Sequence, residues 1–436
     1  MTSTVFSAPS TGAERRGPAP QVRVLPCGLT VVAESMPVEA VNLNIWFRVG
    51  SALEPEPLNG VAHFLEHMVF KGSEALALGE FERRTEACGA KINAATSQDY
   101  THFYLTASPQ QFADLAPLQL EVVARPAIAA SAFEREKQVV LEEIRRSGDN
   151  AQRRIFQRSM ELAFEELPYR RSVLGPTATV AAMEPEQMRE FHGAYYRPEW
   201  ATAVVVGNLP TEVLFEQVRR GAEQVWGGDR PVPPVPPLPH FEPEPPFTEI
   251  ERRMVIDPTV QQARLALMWR VPGAIDQGQT HPLDAIAAIL GQGRLSRLVR
   301  DLREERRLVS RISATHSSYR YQGIFSIGAQ LPIDQVETVE AAIVEHLERL
   351  HGEPVTALEL ERIVRRVASG FIFSNETPSS RAGLYGFYQT MVGRLDVALD
   401  YPNLIRRLDP EQLQGAVRRF LPTDAYRALV VRPAAA

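Results

Sequence analysis

The stretch Gly60-Val-Ala-His-Phe-Leu-Glu-His-Met-Val-Phe-Lys-Gly-Ser73 sets the reading of the whole chain. Within five positions it holds His63, Glu66 and His67. On a helix His63 and His67 stand one turn apart on the same face, and Glu66 lies beside that face. Two imidazoles so placed can hold a divalent metal, and a carboxylate at their edge can take a proton from water. The apolar residues Val61, Ala62, Phe64, Leu65, Met68, Val69 and Phe70 predict that this helix is buried. Buried His and Glu need partners, and a metal is one. The pair of histidines alone is as well explained by packing. Glu66 between them, on an otherwise apolar helix, favours a site.

Working outward, 22–36 alternates around Pro26-Cys27-Gly28 and reads as a hairpin, and 41–51 as a buried strand ending at Gly50. A helix over 79–91 is capped by Gly89, and 92–107, rich in Thr, Tyr and Phe, reads as a strand that includes His102. Helices follow over 109–128 and 131–150. Ser131 with Glu134 has the spacing of a capping box for the second of these. Residues 176–228 run helix, turn, strand, helix.

Residues 230–246 are about half proline, which suits an extended linker and excludes helix or inner strand. The second half then repeats the first. Glu184-Pro-Glu-Gln-Met188 precedes Tyr196-Arg-Pro198 and a strand at 203–206. Asp409-Pro-Glu-Gln-Leu413 precedes Phe420-Leu-Pro422 and a strand at 428–431. A block closing each half points to duplication of one α+β domain. The expected organisation is a tail at 1–20, a first domain at 21–228, a linker at 229–246 and a second domain at 247–436. Each domain is a mixed β-sheet packed with helices.

A catalytic zinc takes three protein ligands and leaves a position for water. The third ligand must come from elsewhere, and the 131–147 helix offers Glu134, Glu136, Glu142 and Glu143. Glu136 and Glu143 are two turns apart on one face, with Val139, Val140 and Ile144 on or near it, so this face is expected to point inward. Glu134 and Glu142 read as solvated.

Bulk properties limit the alternatives. A net charge of −6 with interspersed signs argues against nucleic acid as a partner. Two cysteines, Cys27 and Cys88, are no disulfide framework. No apolar run approaches a membrane span, and residues 1–21 lack the basic-then-apolar order of a secretory signal. A cytoplasmic location is the expectation.

The HxxEH motif, followed about 75 residues later by a Glu in a Val-Val-Leu-Glu-Glu-Ile helix, resembles the inverted-zincin peptidases. That family includes pitrilysin, insulin-degrading enzyme and the mitochondrial processing peptidase. The resemblance extends over nearly the whole chain, through 93–104, Ser172-Val-Leu-Gly-Pro176 and 195–208, and is nearest to short bacterial processing-peptidase-like subunits with a half-clamshell form. It implies one Zn²⁺ per chain held by His63, His67 and Glu143, with Glu142 the competitor for the third place. It implies that Glu66 is the general base and that Glu136 supports a ligand or the base. It makes Lys91–Ser97 an open edge strand that pairs with peptide substrates through Asn93, Ala94 and Ala95, and leaves His102 structural. The second domain is implied to be inactive.

Members that act alone carry an Arg and a Tyr seven residues apart in that second domain. Here Arg303 matches the Arg, while Ser310 stands where Tyr is expected and is too short for the same contact. Tyr319 and Tyr321 are the nearby alternatives. Two expectations follow: an active subunit completed by a homologous non-zinc partner in a heterodimer, or a homodimer. A non-catalytic presenting subunit is the reading from a different class.

Overall fold

Alternating apolar residues place two β-sheets at the centre of two units. The computed structural model describes residues 19–227 and 237–434. The expected tail, except its last two residues, and positions 229–236 of the expected linker lie outside the described residues. The remaining linker positions, 237–246, form neither helix nor strand.

The first sheet consists of β1 (Gln21–Val24), β2 (Thr30–Ser35), β3 (Val41–Phe47), β4 (Lys91–Thr96), β5 (Thr101–Ala107) and β6 (Ala201–Gly207). Its spatial order is β1-β2-β6-β3-β5-β4, which leaves β4 at an edge. Only the β2–β6 pairing is parallel. β3 and β6 are buried throughout, as inner strands covered on both faces must be. The helices of the first half are α1 (Val61–Val69), α2 (Glu80–Ala87), α3 (Pro109–Ala124), α4 (Ala130–Asp149), α5 (Ala151–Ala163), α6 (Thr177–Ala182), α7 (Pro185–Tyr195) and α8 (Thr211–Trp226).

The second sheet has β7 (Glu251–Ile256), β8 (Ala263–Pro272), β9 (Arg311–Ser318), β10 (Gln322–Leu331) and β11 (Arg427–Arg432), in the order β7-β11-β8-β10-β9. Again one pair, β7–β11, is parallel and the rest antiparallel. The helices of the second half are α9 (Gln277–Gly291), a π-helical turn at Val299–Glu305, α10 (Val336–Gly352), α11 (Ala357–Ser374), α12 (Pro378–Met391), α13 (Asp396–Arg406) and α14 (Pro410–Phe420).

The repeat therefore extends to topology. Both α7 and α14 open with the same reciprocal cap, Glu184 with Gln187 and Asp409 with Gln412, and each helix leads into an inner strand of its sheet, β6 and β11.

The units do not follow the chain simply. One comprises residues 1–145, 172–239 and 373–398, the other 146–171, 240–372 and 399–436. In the first, α12 lies on the sheet face at Trp46. A Cβ at Gly386 would stand 2.0 Å from the Trp46 indole nitrogen, so only glycine allows this approach. Arg381 of α12 also reaches buried Glu34 of β2 at 2.9 Å. In the second, Arg154 of α5 grips Asp257, with Nε to Oδ2 at 2.9 Å and Nη2 to Oδ2 at 2.7 Å.

Three local expectations need correction. Residues 92–107 form a hairpin rather than one strand, because Ser97–Tyr100 turn the chain and Ser97 N–H bonds the Tyr100 carbonyl. His102 is therefore on β5, beside the edge strand. Ser131 does not cap α4: the helix begins at Ala130, and the amides of Ala132 and Phe133 bond the Ala129 carbonyl. Val139 does not face inward but is 51% exposed, since the buried stripe of α4 runs through Phe133, Lys137 and Val140.

Candidate metal centre

α1 is seated by its first turn. Gly60 is left-handed (φ +100°), and a Cβ there would meet the Leu174 carbonyl at 2.8 Å. Gly175 is left-handed as well, its Cβ position 2.3 Å from the Asn59 carbonyl. The two glycines let the 172–176 segment pass directly against the helix entrance. Glu54, only 3% exposed, then accepts from the amides of Gly60 and Ala62, both at 2.8 Å, and from Asn59 Nδ2 at 2.7 Å. A buried carboxylate thus serves the amides that a helix start leaves without intrahelical partners, and the helix dipole favours it.

One turn later His63 and His67 project together, with ring centroids 4.9 Å apart. Glu143 of α4 reaches both: its Oε2 is 3.6 Å from His63 Nε2 and 3.5 Å from His67 Nε2. Ligand atoms of these three residues lie within 4.8 Å of one another, and among the described residues no other His, Cys, Asp and Glu group does so. The separations exceed an N–H···O bond. They suit neighbouring vertices of a tetrahedron whose centre lies about 2.0–2.2 Å from each ligand. Two imidazole nitrogens and one carboxylate are the donor set for zinc, so the residues present fit that ion.

Glu136 holds the arrangement from behind. His67 Nδ1–H donates to its Oε1 at 3.0 Å, since a carboxylate only accepts, and this leaves the Nε2 lone pair directed at the Glu143 side. Its other oxygen pairs with Lys71 Nζ at 3.0 Å, so the extra negative charge is balanced locally. Burial disfavours charge on His67, but Glu143 and Glu136 outweigh it and raise the imidazole above its ordinary range. Glu136→Gln is expected to weaken zinc affinity about 10–100-fold while the fold survives, measured by chelator competition.

Glu66 is outside the cluster of His63, His67 and Glu143. Its Oε2 accepts from Thr96 Oγ1 on β4 at 2.6 Å. Burial pushes its carboxyl above the ordinary range, against the opposing pull of Thr96 and His67. Glu142, by contrast, bonds Arg145 at 2.8 Å on the outside of α4, and Glu134 bonds Lys137. Neither joins the cluster.

β4 has β5 as its single strand partner and is otherwise an open edge of the first sheet. Asn93 and Ala95 are exposed and Ala94 half-buried. The Ala94 amide is engaged by the Asn93 side chain at 2.9 Å. His102 stacks on Trp46 and bonds Asn44, and burial lowers it to about 4, so it is a neutral packing histidine. Arg303, in the other unit, bonds Glu304 at 2.9 Å, and Ser310 bonds Gln262 at 2.8 Å. Nearby Tyr319 stacks on Tyr169, and Tyr321 is buried.

Sequence reading missed Glu54, Thr96 and Lys71. Thr96 has a usable signal, for it falls in the same period-two series as Ile92 and Ala94 on the helix-facing side of β4. Glu54 has none, because its partners depend on how a proline-containing loop folds.

A helix with HxxEH, a carboxylate from a second helix and an open strand beside them form a candidate metal site of the inverted type. Residues 30–177 match insulinase (peptidase family M16), and residues 182–367 match the peptidase M16 inactive domain. The chain belongs to the M16 peptidase family. It is 28% identical to an uncharacterized zinc protease of Mycobacterium tuberculosis, over 95% of this chain and 93% of that one. It is 28% identical to zinc protease PqqE of Helicobacter pylori, over 83% and 81%. A protease structure from Helicobacter pylori superposes with a TM-score of 0.87 at 25% identity, covering 95% of this chain and all of that one. No helix among the described residues is long and apolar enough to cross a membrane.

Proposed function

We propose that this chain is a zinc metalloendopeptidase subunit that cleaves short or unfolded peptides. The observation that carries the reading is the joint placement of His63, His67 and Glu143 around one point, with Glu66 held beside it. When bound there by His63, His67 and Glu143, one zinc ion supplies the Lewis acid for hydrolysis.

The chain's own residues account for the rest. Glu66 takes a proton from the attacking water and delivers it to the leaving amine. The Thr96 hydroxyl fixes the Glu66 carboxylate, and burial raises its affinity for the proton it must carry. Glu136 keeps His67 in the tautomer that presents Nε2. Peptide adds to the β4 edge at Asn93, Ala94 and Ala95 by main-chain pairing, displacing the Asn93 side chain from the Ala94 amide. Recognition through backbone gives limited sequence preference.

The Arg/Tyr pair is incomplete, with Arg303 present and Ser310 in the second place. A homologous partner chain without the zinc ligands supplies the missing support in a heterodimer; a homodimer is the second arrangement. Assay of the purified zinc-loaded chain on unstructured peptides, alone and with candidate partner chains, tests both parts. Stimulation by a partner supports the heterodimer. Full turnover by the chain alone removes the need for one. No cleavage in either case, with zinc bound, favours a presenting subunit.

A further inference from the structure

Three helices of the second unit border a common cavity of about 520 Å³. The end of α13 supplies Leu404, Arg407 and Leu408. Their i, i+3, i+4 spacing puts them on one face, and the helical turn runs on through Arg407, whose amide bonds the Asn403 carbonyl at 3.0 Å. α14 supplies Gln412, Gly415, Ala416 and Arg419, again a single helical stripe. The first turn of α9 closes the space with Gly278 and Pro282, four residues apart.

The lining divides by chemistry. Pro282, Leu404, Leu408, Ala416 and Phe420 make it mainly apolar. Its charged members are Arg407 and Arg419, and no Asp or Glu lines it among the described residues. Both guanidinium groups are permanently cationic. The Arg407 side chain is 69% exposed and meets Asp400 at 3.6 Å, too far for a hydrogen bond. Arg419 is exposed and has no carboxylate partner among the described residues. Its Cζ stands 4.9 Å from the centre of the Phe420 ring, which itself lines the cavity, so cation and apolar wall adjoin.

The space is also kept open. A Cβ at Gly278 or Gly415 would meet nothing within 4 Å. Gly415 sits inside α14, where glycine is a poor helix former and no close neighbour requires it. A side chain there would take up room beside Arg419.

We propose that this cavity binds an amphiphile with an anionic head, a medium-chain carboxylate. The apolar chain lies against Pro282, Leu404, Leu408 and Phe420, and the carboxylate pairs with Arg407 and Arg419, whose planar forks match it. The volume falls within the usual range of small-molecule sites, about 300–1,000 Å³.

Isothermal titration of the full zinc-loaded chain with octanoate tests it, beside octanol, octyltrimethylammonium and butyrate. Octanoate should bind saturably. Octanol and octyltrimethylammonium lack the anion and should bind at least tenfold more weakly, and butyrate likewise for want of the apolar chain. Arg407→Gln and Arg419→Gln, both on exposed side chains, should each weaken octanoate about three- to fivefold, and together about tenfold or more. Raised salt should weaken it too. Gly415→Leu should abolish measurable binding while the melting temperature stays level or rises. Binding should persist in His63→Ala/His67→Ala. Absence of saturable octanoate binding, octanol binding as tightly as octanoate, or affinity unchanged in the double arginine variant would each overturn the proposal. So would undiminished binding by the Gly415→Leu variant.

Discussion

Glu66→Gln is expected to reduce peptide hydrolysis by about 10²–10⁴-fold while zinc content stays unchanged. Glutamine has nearly the same shape and can still accept from Thr96 Oγ1, which now lies 2.6 Å from the carboxylate. The proposed ligands His63, His67 and Glu143 are untouched. What is lost is a basic oxygen able to take and return a proton. Turnover on an unstructured peptide and metal analysis of the same sample check both halves. Retained turnover would remove Glu66 from the chemistry. Lost zinc would make it a ligand or a structural support instead.

Glu54→Ala is the second large effect, and it acts without touching the metal. The substitution strands the amides of Gly60 and Ala62 and the Asn59 side chain inside a buried helix entrance. Hydrogen bonds to a charged group contribute about 1.5–3 kcal/mol each and do not add fully, so a loss of about 3 kcal/mol is expected. In a unit of this size that lowers the melting temperature by roughly 6–12 °C. Because α1 carries both histidines, zinc affinity should fall as well. Glu54→Gln, which keeps one acceptor, should lie between. Calorimetry with and without zinc measures it, and an unchanged melting temperature and affinity would show that the loop caps the helix by some other group.

The centre was legible where chemistry is local. His63, Glu66 and His67 lie within five residues, and one helical period reveals their shared face. Glu143 was harder, since it comes from a helix some 75 residues on, but its seven-residue spacing from Glu136 placed both on one side of α4. Val139 does not share that side, because one residue is about 100° of helix and the stripe passes through Val140. The 92–107 segment shows the limit of composition: Thr, Tyr and Phe favour strand throughout, and the turn at Ser97–Tyr100 has neither glycine nor proline to mark it. Glu54 was illegible because loop acids gain meaning only from the amides that the tertiary fold brings to them.

The interleaving of the two units has a consequence for biosynthesis. α12 closes the Trp46 face of the first sheet, yet it lies beyond the proline-rich segment and after most of the second half. At a synthesis rate of about 5–20 residues per second, the ribosome needs roughly 10–30 s after finishing α8 before α12 emerges. During that interval Trp46 and its neighbours stand uncovered on the nascent chain. The first half cannot be completed in advance of the second, and a messenger truncated at the proline-rich segment would encode the HxxEH helix on an unfinished sheet.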